Sequence, residues 1–291
     1  MPTAIKKSTW VHLRIPFSIF LMPVFLFACS QAEVLVWWQV LVAFVAIHFF
    51  LYPASNAYNS YFDKDEQSIG GIKHPPPVSK ELYQVALLFD AIALVLAYFL
   101  AWPFALALFI YGLVSKAYSH PGLILKKYPI LSWLVVGIFQ GAFTYLMSYY
   151  AVTPISQLST LWQPAILYPA LLSSILLMAS YPMTQVYQHE EDTRRGDVTL
   201  SVLLGVKGTF LFSGVLFFIA NAGFLVYFYY YKSLQHILIF ELVLLPTLLY
   251  FSWWFQKVRK DESAANFDYT MRLNTLSSLL ISLGFVLMWV I

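Results

Sequence analysis

The feature that most constrains the fold is a series of long apolar stretches, separated by loops that carry most of the charge. Hydrophobic residues make up 60% of the 291 positions and charged residues only 11%, against about 25% charged residues in an average soluble domain. A soluble protein of this size could not bury so much apolar surface, so the lipid bilayer is the solvent that fits. The sequence therefore predicts an all-α, polytopic membrane protein.

Nine stretches are long enough to cross a bilayer core, which takes roughly 20 residues of helix. They cover residues 13–28, 34–58, 82–101, 103–118, 130–152, 165–187, 209–231, 237–255 and 273–291. We expect a single domain over residues 1–291, with helices 1–4 and 5–8 as two similar halves and helix 9 added. The nine helices are expected to surround a central cavity that opens to the cytoplasmic face.

Basic residues set the predicted orientation, because cytoplasmic loops collect Lys and Arg. With the N-terminus in the cytoplasm, every Lys and Arg except Lys232 falls in a loop or helix end on that side. Most acids gather there too, which the charge rule does not explain, so we expect polar chemistry on that face. We expect an integral protein of the bacterial plasma membrane. No nucleic-acid partner is expected, because no basic patch of that kind is present.

The first acidic segment follows the second apolar stretch. Asn59 and Asp63 are four residues apart and share one face if the helix continues. Asp65 follows as that helix ends, and Lys73 precedes three prolines that predict an extended loop.

The second acidic segment follows the sixth stretch and repeats this pattern. Gln188 and Asp192 are again four apart, and Gly196 can supply a left-handed helix cap or a close backbone approach. Carboxylate and amide oxygens suit Mg²⁺, which usually keeps waters and phosphate oxygens as well. Polar residues that only mark where helices meet water are the alternative interpretation, but two such segments on one membrane face favour a Mg²⁺–diphosphate site. The predicted metal ligands are Asn59, Asp63, Asp65, Gln188, Glu190 and Asp192.

These segments resemble the motifs of the UbiA superfamily of intramembrane prenyltransferases. Members carry Asn-Asp-x-x-Asp-x-x-x-Asp after the second helix, which residues 59–67 resemble, and Asp-x-x-x-Asp after the sixth, which residues 188–192 resemble. Residues 118–127 are similar to the family's Tyr-Ser/Thr-x-Pro and basic stretch. Three family acids are replaced here, by Ser60, Gln67 and Gln188. We expect nearby acids to compensate for them, namely Asp65, Glu66, Glu190 and Glu191.

The resemblance implies an enzyme that transfers a prenyl group from an isoprenoid diphosphate to a lipophilic acceptor, which is aromatic or polycyclic. It also implies Mg²⁺ as cofactor and membrane lipid as a partner of the protein. Asp63 and Asp192 are implied as catalytic residues. The implied diphosphate-binding residues are Lys73, Lys126, Lys127 and Arg195.

Some polar residues lie well inside the predicted spans, where an unpartnered charge is costly. His48, Asp90 and Glu241 are expected to hydrogen-bond between helices or to contact the acceptor. Two other functions fit the sequence: a membrane transporter, because the chain divides into similar halves, and a non-catalytic isoprenoid-binding protein, because three motif acids are missing.

Overall fold

The computed structural model of the chain describes residues 5–155 and 157–291. Within these ranges the regular elements are helices, and the β-type pairing is a single isolated bridge between Ile69 and Ile72. The helices are α1 (Lys7–Leu13), α2 (Met22–Gln31), α3 (Trp37–Asp63), α4 (Leu82–Leu100), α5 (Trp102–Ser119), α6 (Pro129–Val152), α7 (Pro164–Ser180), α8 (His189–Arg195), α9 (Leu200–Tyr231), α10 (Leu234–Lys260) and α11 (Phe267–Val290). The all-α prediction is confirmed.

Several of these helices are irregular. α3 contains a π-helical turn at Val45–Leu51 and α6 contains one at Ile138–Phe143. α9 is interrupted at Gly205, whose φ of 68° lies in the left-handed region. Short 3₁₀ turns join or extend other helices, at Ile15–Phe20, Leu125–Lys127, Leu158–Trp162, Pro182–Thr184 and Glu262–Ala264.

Seven helices in the described residues are long and apolar enough to cross a membrane. They are α3, α4, α6, α7 with its extension to Thr184, α9, α10 and α11. Lys7–Phe20 and Met22–Gln31 form a pair bent by 43°, which would make an eighth span. The predicted fourth span exists as α5 but is not in this set, since polar Ser115, Lys116 and Ser119 occupy its end. A polytopic membrane protein is confirmed, and the count of nine stays a prediction.

The chain forms two compact units. Unit 1 holds Met1–Ile19 and Val36–Lys126, and unit 2 holds Phe20–Leu35 and Lys127–Ile291. The predicted first span, residues 13–28, is therefore divided between the two units after Ile19. The single-domain prediction with its two halves stays a prediction.

In unit 1, α4 packs against α3 and α5. Its core includes Leu13, Ala57, Leu82 and Phe89. These contacts hold the end of α3, and with it the first acidic segment, beside α5.

In unit 2, α9 packs along α7, α10 packs along α11, and α2 packs against α6 and α11. The core of this unit is largely aromatic. Phe27 of α2 stacks on Phe285 with ring centroids 4.4 Å apart, and it also contacts Tyr145 and Phe224. The aromatic residues named here therefore pack between helices rather than facing lipid.

Candidate functional site

The first acidic segment is built on a helix that continues to Asp63, as predicted. Lys64 ends the helix, because its φ of 50° takes the backbone into the left-handed region. Asn59 and Asp63 thus lie on successive turns of one face. The Asn59 amide donates to the hydroxyl of Ser119 at 2.5 Å, and Lys126 Nζ donates to Asp63 Oδ1 at 2.9 Å.

The contact between Asp63 and Lys126 joins two residues that the sequence assigned to different tasks. Asp63 was expected to bind metal and Lys126 to bind diphosphate, and their side chains are only 11% and 15% exposed. Charges held this far from water interact more strongly than charges on an open surface. The structure brings together a group that attracts cations and a group that attracts anions.

The acids after α3 lie in different surroundings. Asp65 and Glu66 line a cleft of about 720 Å³ together with Tyr61, Lys64 and residues 75–80. Asn59 and Asp63 do not line this cleft. Lys73 is exposed on the loop that leads to the prolines.

The second acidic segment departs from the prediction that it extends a membrane helix. α7 ends at Ser180, and a 3₁₀ turn at Pro182–Thr184 follows, because the proline ring removes a backbone donor. Gln188 then caps a separate helix, α8. The Asp192 N–H still donates to the Gln188 carbonyl at 2.9 Å, so these two residues remain one turn apart.

The charges of α8 are arranged around a buried acid. Glu191 is only 2% exposed, and its Oε1 lies 2.9 Å from Arg195 Nη2 and 3.9 Å from Arg194 Nη2. Arg195, expected to bind diphosphate, therefore has a protein partner within its own helix. Glu190, expected to replace a lost ligand, is exposed.

Side chains hold the loop between α8 and α9. Gly196 adopts a φ of 72° at the end of α8, which confirms the predicted left-handed cap. Thr199 donates to Asp192 Oδ2 at 3.4 Å and also caps α9. His189 Nε2 contacts Ser201 Oγ at 2.7 Å. Burial lowers the pKa of His189 below its ordinary value of 6.5, against the opposing effect of Glu262, so the imidazole is neutral at pH 7.

The polar residues that the sequence analysis selected within spans, His48, Asp90 and Glu241, have different environments. His48 is buried, stacks on Phe44 at 4.8 Å and meets Tyr52 edge-on at 5.2 Å. Asp90 forms an ion pair with Lys116. Glu241 Oε1 is buried with no hydrogen-bond partner among the described residues.

Sequence reasoning did not foresee three sets of contacts in unit 1. Ser119 binds Asn59, Lys116 binds Asp90, and Arg14 donates to the carbonyls of Asn56 at 3.2 Å and Gly70 at 3.4 Å. The contacts of Arg14 could have been expected from the sequence, since an arginine at the start of an apolar stretch needs partners. The pairing of Asn59 with Ser119 joins residues 60 positions apart and left no local pattern.

The donor atoms of the two segments suit one class of metal. In the described residues, no three His, Cys, Asp or Glu side chains are grouped to hold an ion by themselves. Mg²⁺ does not need such a group, since it is commonly bound by one or two carboxylates, waters and substrate phosphates. Asn59 with Asp63, and Gln188 with Asp192, therefore fit Mg²⁺ that arrives with a diphosphate. Lys127, the first residue of the second stretch of unit 2, is exposed.

The sequence profile of the UbiA prenyltransferase family matches residues 20–276. The chain belongs to this family. The matched range includes both acidic segments and the basic loop between them, so the resemblance drawn from these motifs is confirmed. No curated protein matches the chain at a significant level.

Solved UbiA homologues share the fold. A homologue from Archaeoglobus fulgidus bound to GPP and Mg²⁺ is 16% identical, with 98% of this chain and 100% of that chain covered and a TM-score of 0.68. The apo form of a homologue from Aeropyrum pernix K1 is 18% identical, with 94% and 98% covered and a TM-score of 0.73. A structure described as digeranylgeranylglyceryl phosphate synthase is 17% identical, with 96% and 98% covered and a TM-score of 0.58.

Proposed function

We propose that this protein transfers a prenyl group from an isoprenoid diphosphate to a lipophilic acceptor in the membrane, with Mg²⁺ as cofactor. Membership of the UbiA prenyltransferase family supports prenyl transfer in general. The observation that carries the proposal for this chain is the contact between Asp63 and Lys126 on the face that also holds Asn59. A related structure from Archaeoglobus fulgidus holds GPP and Mg²⁺, which is the ligand pair that these residue types would bind.

In this proposal Asn59 and Asp63 of the first segment, and Gln188 and Asp192 of the second, would hold the metal. Bound Mg²⁺ would supply Lewis-acid stabilisation of the charge on the departing diphosphate.

Lys126 has a defined part in this scheme. Its ammonium neutralises Asp63 at 2.9 Å, and a cation competing for that carboxylate would release the ammonium to a phosphate oxygen. Lys73, Lys127 and Arg195 are proposed to add positive charge for the same anion, which stabilises the leaving group electrostatically.

The proposal includes the arrangement in the membrane. Nine spans, with the N-terminus and both acidic segments on the cytoplasmic side of a bacterial plasma membrane, would place the diphosphate at the aqueous face. A cavity open to that face would admit the prenyl chain and an aromatic or polycyclic acceptor from the surrounding lipid. The concentration of basic residues in the loops on this side supports the orientation.

Acceptor-dependent release of diphosphate tests the proposal. Purified protein given an allylic prenyl diphosphate, Mg²⁺ and a lipid extract should release diphosphate and form a prenylated lipid, and EDTA should stop both. Asp63→Ala and Asp192→Ala should abolish turnover while the protein remains folded and inserted in the membrane. Glu33→Ala, which changes an exposed acid on the predicted opposite face, should behave as wild type.

Other outcomes identify the competing functions. A transporter would move its substrate across vesicle membranes without breaking a bond, and a binding protein would retain the diphosphate intact. Unchanged turnover in both aspartate variants would reject the proposed metal ligands.

A further inference from the structure

The second acidic segment is held against α9 by side-chain contacts rather than by helix continuity. α7 ends at Ser180, and the break at Gly205 separates the first turn of α9, residues 200–204, from the rest of that helix. α8, which carries Asp192, therefore lies between two interruptions of regular helix. Its position depends on side chains, and several of these contact the first turn of α9.

The break at Gly205 folds this first turn back on the helix that follows. Residues eight positions apart in a regular α-helix are separated by about 12 Å along the axis, yet the hydroxyl oxygens of Ser201 and Thr209 are only 3.1 Å apart. The φ of 68° and ψ of 173° at Gly205 fall in a region that is essentially restricted to glycine. A Cβ built there would meet no atom within 4 Å, so glycine is required for the backbone conformation and not for space.

A chain of hydrogen bonds passes through these two hydroxyl groups. Thr209 Oγ1 lies 2.8 Å from the Gly205 carbonyl and 3.2 Å from the Ser201 carbonyl. Carbonyls only accept, so the Thr209 hydroxyl donates to them and its oxygen accepts from the Ser201 hydroxyl. Ser201 Oγ then accepts from His189 Nε2 at 2.7 Å. Ser201 and Thr209 are fully buried, so bulk water does not compete for these bonds.

The first turn of α9 also contacts a proposed metal ligand. Thr199 is buried, caps α9 by accepting from the Val202 N–H at 3.3 Å, and donates to Asp192 Oδ2 at 3.4 Å. α8 is therefore joined to this turn at two points, through His189 at its start and through Asp192. A change in the direction of the turn would displace both.

We propose that the hydroxyl groups of Ser201 and Thr209 position Asp192 for metal binding, by fixing the first turn of α9. This inference rests on the proposed Mg²⁺-dependent prenyl transfer and assigns it residues outside both acidic segments. Both are positioning residues, since they act through Thr199. Mg²⁺ demands near-ideal octahedral geometry, and loss of a group that orients a metal ligand typically lowers metal affinity about 10–100-fold.

A purely structural role for the two hydroxyl groups makes a different prediction. Thr209→Val keeps the shape of the side chain and removes its hydroxyl. If the hydroxyl only stabilises the fold, this variant should have a lower Tm without metal and the metal affinity of wild type. If the hydroxyl positions Asp192, the metal affinity itself should fall, and Thr209→Ser, which restores a hydroxyl, should recover it.

Equilibrium dialysis measures metal affinity without turnover. The full-length protein in detergent is dialysed against Mn²⁺, as a substitute for Mg²⁺, and geranyl thiolodiphosphate, a slowly reacting analogue of a prenyl diphosphate. Thr209→Val should raise the Kd for Mn²⁺ roughly threefold to tenfold, the factor that corresponds to one lost hydrogen bond, and Thr209→Ser should stay within about twofold of wild type. Thr247→Val is the matched control, because Thr247 is buried in α10 and its hydroxyl has no hydrogen-bond partner among the described residues.

Turnover gives an independent measurement. In the diphosphate-release assay, Thr209→Val should raise the Mg²⁺ concentration for half-maximal activity by a similar factor, with kcat at saturating Mg²⁺ within about twofold of wild type. Ser201→Ala should have the same effects, and it provides the test if Thr209→Val does not fold. Its matched control is Ser213→Ala, since the buried Ser213 hydroxyl has no hydrogen-bond partner in the part of the chain that the structure describes.

Two results would overturn the inference while prenyl transfer stands. One is wild-type Mn²⁺ affinity in either folded variant, Thr209→Val or Ser201→Ala. The other is a Thr209→Ser variant that binds Mn²⁺ as weakly as Thr209→Val does. If wild-type protein does not bind Mn²⁺ together with the analogue, the Mg²⁺ dependence of the proposed function is rejected, and the positioning role with it.

Discussion

At the scale of single residues, two cations of the same predicted role have different partners. Lys126 contacts Asp63, 63 positions earlier, whereas Arg195 contacts Glu191 in its own helix. The second pair has the i,i+4 spacing that can be recognised in a sequence, but the sequence alone does not reveal that Glu191 is buried. Arg195 therefore has a structural contact that the motif comparison did not consider.

We expect Arg195→Met to lower stability by roughly 1–3 kcal/mol, because a buried carboxylate loses its 2.9 Å ion pair. Arg194→Met, which alters an exposed side chain at 3.9 Å from the same oxygen, should have little effect. Adding Glu191→Gln to Arg195→Met should recover part of the loss, since it removes the buried charge. Thermal unfolding in detergent measures all three. If Arg195→Met instead leaves Tm unchanged and raises the KM for the diphosphate, the main role of Arg195 is to bind the substrate.

The replaced family acids yield a second prediction at this scale. If Asp65 and Glu190 act in place of the acids missing at Gln67 and Gln188, Asp65→Asn and Glu190→Gln should each raise the Mg²⁺ concentration for half-maximal activity. Gln188→Asp should lower that concentration or leave it unchanged. Titration of Mg²⁺ against the rate of diphosphate release measures this. If both Asp65→Asn and Glu190→Gln are fully active at the Mg²⁺ concentration that wild type needs, Asp65 and Glu190 are not metal ligands.

At the scale of elements, the backbones of α6 and α7 approach closely at Gly141. A Cβ on Gly141 would lie 2.4 Å from the Cα of Ser174 and 2.5 Å from its backbone nitrogen. Gly141 is in the π-helical turn of α6, and Ser174 Oγ accepts from the N–H of Ala142 at 2.9 Å. The two helices are thus joined by three features together: the π-helical turn of α6, the absence of a side chain at Gly141, and the Ser174 hydroxyl.

Gly141→Ala should disrupt this contact, because the obstructing atoms belong to the backbone and cannot rotate away. We expect a loss of folded protein or a fall in unfolding free energy of roughly 1–3 kcal/mol or more, as for other overpacked sites. Gly208→Ala in α9, where the nearest atom to a built Cβ is 3.4 Å away, is the matched control and should be tolerated. The yield of monodisperse protein and its Tm measure the effect, and a Gly141→Ala variant as stable as wild type would contradict the close approach.

The docking of α1 in unit 1 depends on a carboxylate. Glu81 Oε1 accepts from Thr9 Oγ1 and from the Lys6 N–H, each at 2.7 Å. These bonds, the first above all, lower the pKa of Glu81 below its ordinary value of 4.5. Such a group stabilises the folded state at pH values above its unfolded pKa, and the contribution is lost as the pH falls through the folded value.

Glu81→Gln should therefore lower Tm at pH 7, and the difference from wild type should shrink as the pH falls below 4.5. Thermal unfolding of both proteins between pH 7 and pH 3 checks the sign. A difference that grows on acidification would show that the carboxylate is not the stabilising form.

At the scale of the whole molecule, hydropathy predicted the class because apolar length is a local property of the chain. α3, α4, α6, α7, α9, α10 and α11 all fall on predicted stretches. The same measure could not foresee that 3₁₀ turns would separate α8 from α7. The Asp63–Lys126 and Asp90–Lys116 pairs were also hidden, since each joins residues that only the folded helices bring together.

Membrane orientation is the prediction at this scale. Reporter fusions placed after Lys127 and after Lys232 should lie on opposite sides, the first in the cytoplasm, because basic residues gather in the loops on one face. An alkaline phosphatase fusion and a green fluorescent protein fusion at each position would give complementary signals. If both positions report the cytoplasm, the assignment of nine spans is wrong.

The π-helical turns in α3 and α6 also bear on how this chain is compared with its relatives. A turn that closes through i→i+5 bonds rather than i→i+4 bonds accommodates one more residue than a regular turn. A relative with a regular helix at Val45–Leu51 or Ile138–Phe143 would therefore be one residue shorter there. An ungapped alignment would then shift every later position of that helix, and Asn59 and Asp63 follow the first of these turns. Ancestral reconstruction of the family should accordingly treat these two places as sites of single-residue insertion or deletion.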